Sequence, residues 1–124
     1  MHVFEYAVVR VMPRVEREEF INVGVILFCA KLKYLHVSFH VDEKRITAFA
    51  PDLDLTEIKT NLQAFERICL AEPNSGSIGQ LDQASRFRWL TATRSTVVQS
   101  SKVHPGLCTD AAATLSNLYQ QLFL

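Results

Sequence analysis

The sequence predicts an α+β fold: an antiparallel sheet of three N-terminal strands plus one late strand, with three to four helices packed on it. Three observations carry this. Residues 2–12, 19–28 and 34–41 are runs of β-branched, aromatic and apolar residues joined by short polar links, the pattern of an antiparallel meander. Residues 55–72 and the last stretch of the chain repeat apolar residues at helical spacing. Residues 95–101 return to a β-prone run, and strands followed by helices and then a late strand define an α+β layout rather than an alternating one.

The first strand is apolar on both faces apart from Glu5 and Arg10, so it is central and covered, at least in part, on both sides. An arginine on such a strand needs a partner where it is buried. Pro13 ends the strand, because proline has no N–H for the ladder. Residues 14–18 form a charged link into the second strand. Ile21, Val23, Val25 and Leu27 carry its core face, while Glu19, Asn22 and Gly24 are exceptions that a purely structural strand does not need. Gly24 suggests a bulge or a close approach by another backbone or an aromatic ring. Residues 94–99 are the best candidate for the approaching element. In the third strand Leu35, Val37, Phe39 and Val41 point one way and His36, Ser38 and His40 the other, which predicts one wet face.

Asp42 caps a short helix over 43–49, and Pro51 stops it. Asp54 opens the longest helix, 55–72, with Leu55, Ile58, Leu62, Phe65 and Cys69 at helical spacing. Pro73-Asn74-Ser75-Gly76 breaks it. Ser77 and Gln80 form a capping box for a helix over 79–90, with Ile78, Leu81, Ser85 and Trp89 on one face and Trp89 as the core anchor. Residues 103–107 read as an irregular exit. Thr109 or Asp110 caps the last helix, whose stripe is Leu115, Leu118, Tyr119, Leu122 and Phe123.

The bulk numbers narrow the function classes. A chain of 124 residues reads as one domain spanning 1–124. Thirteen Lys and Arg balance thirteen Asp and Glu, which argues against non-specific nucleic-acid binding. Cys29, Cys69 and Cys108 are odd in number and widely spaced, as expected of buried thiols in a reducing compartment. No basic-then-apolar leader opens the sequence, and no apolar run reaches the ~18 residues of a membrane span, so a cytoplasmic chain is expected.

Motifs for chemistry are sparse. His36 and His40 would stand about 13 Å apart on a strand, too far to share one ion unaided. No metal or cofactor motif is present, so neither is expected. No nucleophile elbow surrounds any serine, and Cys108 merely follows His104 by four positions. Ser95 and Thr96 after Arg94 fit a nucleophile, a phosphate-binding turn or, more simply, a strand start with a surface hydroxyl. Arg-Phe-Arg-Trp at 86–89 has the ingredients of a nucleic-acid stacking patch, but helical spacing turns Phe87 and Trp89 to different sides. Arg10, Arg14, Arg86, Arg88 and Arg94, with Ser95 and His104, leave an anion site open. Glu16, Glu18 and Glu19 stand near enough in sequence to make a structural ion-pair network the simpler account.

Three segments resemble a known family. They are 6–14 with Arg10-Val11-Met12-Pro13-Arg14, 18–28 with Asn22-Val23-Gly24-Val25, and 87–107 with Phe87-Arg88-Trp89-Leu90, Arg94-Ser95-Thr96-Val97-Val98-Gln99 and His104-Pro105-Gly106-Leu107. Together they are similar to bacterial domain of unknown function family 3037, over nearly the whole chain. The resemblance implies a protein partner, a kinase-like protein similar to the toxin of high-persistence toxin–antitoxin systems. It supplies no catalytic residues. The polar positions that match the family pattern are Arg10, Arg14, Glu19, Asn22, Arg88, Arg94, Ser95, Gln99 and His104, and they converge on one surface if the late strand pairs beside the first two.

Two functions are therefore expected, and the sequence leaves open whether the protein is an enzyme. The first is a non-catalytic accessory or interaction module with a protein partner. The second is a small enzyme or ligand-binding protein for a phosphorylated or nucleotide-like substrate, with Arg10, Arg14 and Arg94 as anion clamps and His104 as acid or base. Zero net charge and open sheet edges also admit a homodimer.

Overall fold

Alternation along the first strand sets the layers. β1 (His2–Val11) directs Ala7, Val9 and Val11 to one face and Phe4 and Tyr6 to the other, so both faces need cover. The computed structural model, which describes residues 1–94 and 96–124, has helices on both sides of the sheet. After β1 come a 3₁₀ turn (Val15–Arg17), β2 (Ile21–Cys29), β3 (Tyr34–Phe39), α1 (Glu43–Phe49), α2 (Leu55–Cys69), α3 (Gly76–Gly79), α4 (Gln83–Leu90), β4 (Val98–Ser100), β5 (His104–Cys108) and α5 (Ala111–Phe123). This is the expected α+β class with an antiparallel sheet.

The sheet runs β3-β2-β1-β4, and β5 also pairs with β1. β4 and β5 are consecutive pieces of one edge: Val98–Ser100 faces Val11 to Val9, and His104–Cys108 faces Tyr6 to His2. Between them the edge advances from Ser100 to His104 while β1 goes only from Val9 to Tyr6, so the edge carries one extra residue. Ser101 bridges the irregularity: its N–H donates to the Val8 carbonyl and its Oγ accepts from the Val8 N–H, both at 2.8 Å. Residues 103–107 are thus largely strand rather than an irregular exit. Pro105 is tolerated because only one side of an edge strand is bonded. Gly106 lies against the Phe4 ring, where a Cβ would come within 2.6 Å of Cε1.

A bulge divides β2. Val9 pairs with Gly24 and Arg10 with Asn22, so Val23 is the extra residue. The bulge shifts the alternation. Ile21 and Val23 pack with Ile26 and Phe28, whereas Val25 and Leu27 pack on the opposite face. Ile21, Val23, Val25 and Leu27 therefore do not form one face, because strict period-two counting fails across an inserted residue. Gly24 accepts the close ring the sequence suggested: a Cβ there would meet Phe39 Cδ1 at 2.6 Å and the Ser38 carbonyl at 2.8 Å. The approaching element is β3, not residues 94–99, because β4 lies on the far side of β1.

One face is closed by Ile46 of α1, Ile58, Leu62 and Cys69 of α2, and Phe87 and Leu90 of α4. The other is closed by Ala111 and Leu115 of α5 against Phe4, Val25, Leu27, Cys29 and Cys108. Asp42, Asp54 and Asp110 cap α1, α2 and α5, each accepting backbone N–H groups of the first turn. The stretch over 79–90 is not one helix. Asp82 caps α4 through the Ser85 N–H at 2.8 Å, and the Ser77 capping box does not form. Ile78 and Leu81 therefore lie outside α4, and its buried residues are Arg86, Phe87 and Leu90. Phe87, fully buried and stacked on Phe28 at 5.2 Å, is the anchor, and Trp89 is 38% exposed. The wet face expected of β3 is half covered: His40 lies under α5, with Nδ1 3.2 Å from the Tyr119 hydroxyl and its ring stacked on Phe123. All three cysteines are buried and unbridged. No helix among the described residues is long and apolar enough to cross a membrane.

Candidate functional site

α5 packs on β2 and β3 and leaves the second half of β1 less covered on that face, where Val8 and Arg10 are half-buried. There the pairing sets three flagged side chains in one row: Asn22 of β2, Arg10 of β1 and Gln99 of β4 are direct neighbours across the sheet. The Val23 bulge makes this possible by pairing Asn22, rather than Val23, with Arg10. Phe20, 41% exposed, completes the row, with the Arg10 guanidinium 3.8 Å above its ring centroid.

The row is electrically open. Arg10 makes no ion pair among the described residues. Burial pulls its pKa below the ordinary arginine value, with no nearby acid to offset the effect. Arg10 Nε and Asn22 Oδ1 are buried atoms without hydrogen-bond partners. Gln99, paired with Arg10 across the strands, spends its amide nitrogen on the Thr96 carbonyl at 2.8 Å. A guanidinium held over a ring, with Asn22 and Gln99 as strand neighbours and no ion pair among the described residues, suits a planar or tetrahedral anion.

The other flagged residues lie elsewhere. His104 shares this face but pairs with Tyr6, its ring 5.3 Å from the tyrosine ring. Tyr6 precedes Arg10 by four positions on β1, and β5 and β2 flank opposite sides of that strand. Strand rise and spacing then put His104 about 16 Å from Asn22, beyond one small-molecule site. Arg14 and Glu19 line a cleft of about 430 Å³ with Arg17 and residues 49–53, and Glu19 is already bonded to Arg17 at 2.7 Å. Arg88 projects on the opposite face of the sheet, where Glu5 holds it through two bonds of 2.8 and 2.9 Å and raises its pKa. Arg94 stacks on Trp89 at 3.7 Å and donates to the Trp89 carbonyl, so it closes the end of α4; burial lowers its pKa. Ser95 lies outside the described residues. Thr96 turns its hydroxyl onto the Val98 carbonyl.

Among the described residues, the ion pairs made by these arginines are Arg17–Glu19 and Arg88–Glu5. Glu19 neutralises Arg17 rather than Arg10 or Arg14. Phe20 was missing from the candidate residues. Its position two before Asn22 offered the only signal, since alternate residues share a strand face.

Sheet, flanking helices and an arginine over a ring, with no ion pair among the described residues, define a small α+β protein with a polar row on one sheet face. The sequence model described as Protein of unknown function (DUF3037) matches residues 6–123, which include every residue of the row. The chain belongs to that family. No curated protein and no solved structure matches it.

Proposed function

We propose that this protein is a non-catalytic cytoplasmic interaction module that captures a carboxylate of a protein partner on the Asn22–Arg10–Gln99 row. The observation that carries the reading is Arg10, held over the Phe20 ring and making no ion pair among the described residues. Stacking fixes the fork before binding, so less side-chain freedom is lost when an acid docks. A charge-assisted bond to such a fork contributes about 1.5–3 kcal/mol. The separation of His104 from the row weighs against an acid–base role beside Arg10. The kinase-like protein implied by the family resemblance is the first partner to test.

Affinity capture from the native host with wild-type, Arg10→Ala and Arg14→Ala baits tests this. A stoichiometric partner retained by Arg14→Ala and lost by Arg10→Ala is expected. Equal recovery by wild-type and Arg10→Ala contradicts the reading. A second reading, a receptor for a small phosphorylated ligand, is favoured by the cleft that Arg14 lines, about 430 Å³ in volume. In that case Arg14→Ala abolishes phosphate-ester binding and Arg10→Ala does not.

A further inference from the structure

Two apolar side chains near the row belong to neither core of the sheet, Val8 of β1 and Leu122 of α5. Val8 is half-buried and shares a face with Arg10, because the two lie two apart on β1. Leu122 is 42% exposed. The helix that carries it runs from Ala111, packed in the core that holds Cys108, to Phe123, stacked on His40. The His40 N–H donates to the Val23 carbonyl at 2.7 Å, next to Asn22. The end of α5 therefore reaches the end of the sheet that carries the row.

Helical phase decides which way the leucine faces. Ala112 and Ser116 line a groove against β3. At about 100° per residue, Leu118 and Leu122 are turned about 120–160° from Ser116, toward β1. They form an aliphatic wall beside the strip from Val8 to Arg10. Val8 offers that strip its side chain alone, since its N–H and its carbonyl are both taken by Ser101 at 2.8 Å. Along β1, Val8 and Arg10 stand about 6–7 Å apart, the spacing of alternate side chains in any extended chain.

We infer that the partner segment whose carboxylate docks on Arg10 also carries a bulky aliphatic side chain two residues from the acid. The inference rests on the carboxylate reading of the row and names what accompanies the acid. Laid extended along β1, such a segment sets its acid on Arg10 and its aliphatic side chain on Val8, beside Leu122. Charge complementarity selects this occupant. Arg10 makes no ion pair among the described residues, so a purely apolar segment would cover that charge without compensating it. A purely acidic segment would leave Val8 and Leu122 in water. An arginine beside apolar anchors has the make-up of an interface centre rather than a rim.

NMR titration of the full chain, reading the methyl groups of Val8 and Leu122, tests this with three capped pentapeptides. The first has a central glutamate among glycines. The second has leucine at both ends, two residues from the glutamate on either side, and so serves either chain direction. The third replaces the glutamate of the second by glutamine. The second should shift both sets of methyls and bind about fivefold more tightly than the first, the size of half-burying one leucine. In Leu122→Ser, a change at an exposed position, that advantage should fall to about twofold or less. Equal binding of the two glutamate peptides, or an advantage unaltered in Leu122→Ser, overturns the inference and leaves the carboxylate reading standing. Binding of neither glutamate peptide overturns both. Binding of the glutamine peptide as tight as that of its glutamate parent makes the strip a purely apolar site and overturns the inference. Concentration-dependent broadening of the Leu122 methyls in the free protein marks a second copy as the occupant and also overturns it.

Discussion

Gly24→Ala tests how the bulge and the edge strand hold the row in place. The new Cβ would lie 2.6 Å from Phe39 Cδ1 and 2.8 Å from the Ser38 carbonyl oxygen. The carbonyl cannot retreat without loosening the Val25–Ser38 pairing. The ring can turn, but that disturbs its edge-on contact with Phe65 at 5.9 Å. Overpacking of this kind costs about 1–3 kcal/mol, and the aromatic contact about 0.5–1.5 kcal/mol. The expected destabilisation is about 2–4 kcal/mol, or a fall in Tm of about 6–15 °C for a chain of this size. Urea denaturation followed by circular dichroism measures it. In a Phe39→Leu background the ring clash disappears and the carbonyl clash remains, so the cost of Gly24→Ala should shrink by about half. A cost below about 0.5 kcal/mol in the wild-type background, against the overpacking expectation, would refute the packing argument.

Two further outcomes are expected. Burial pushes the Cys69 thiol up to about 12 from 9.0, so the folded state keeps its proton where the unfolded state loses it. That contribution is complete below pH 9 and is lost as pH rises toward 12; at pH 10 the loss is about 1.4 kcal/mol. Comparing urea stability at pH 7 and pH 10 for wild type and Cys69→Ser checks the sign, since the variant should lose less on going to alkali. The Arg88–Glu5 pair is bidentate but partly exposed. A double-mutant cycle should give a coupling of about 0.5–1 kcal/mol, falling in 1 M salt; a salt-independent value contradicts the assignment.

The architecture was readable where local chemistry was strong. Asp42 and Asp54 announced their helices because a carboxylate before an amphipathic run satisfies free N–H groups. The apolar character of both faces of β1 announced a central strand. Gly24 suggested a bulge or a close approach by another backbone or an aromatic ring: the bulge falls at the neighbouring Val23, and the Phe39 ring and Ser38 carbonyl approach Gly24. What failed depended on distant partners. The phase of β2 was misjudged because the inserted Val23 is defined only by its pairing with β1. Residues 103–107 looked irregular because Pro105 and Gly106 are poor strand formers, yet an edge beside β1 accommodates them. Phe87 displaced Trp89 as anchor because α4 turns Phe87 and Leu90 toward the sheet, where Phe87 stacks on Phe28, a distant partner.

The candidate residues divided for a similar reason. Arg10, Asn22 and Gln99 meet because β4 does pair beside β1, as the convergence required. Arg88 went to the opposite face to hold Glu5, and Arg94 to the end of α4 on Trp89, contacts that no local pattern encodes. His104 lies on the same face as the row but farther along β1, beside Tyr6, because β5 continues the edge past β4.

The measurement that bears most directly on the Arg10 row is an NMR titration of the free protein with a capped tetraglutamate peptide, reading the Arg10 Nε–H and the side-chain amides of Asn22 and Gln99. The row predicts saturable shifts at all three in the wild type and in Arg14→Ala, with those of Asn22 and Gln99 vanishing in Arg10→Ala. Shifts centred on Arg14 and Arg17, or none at Arg10, would contradict it.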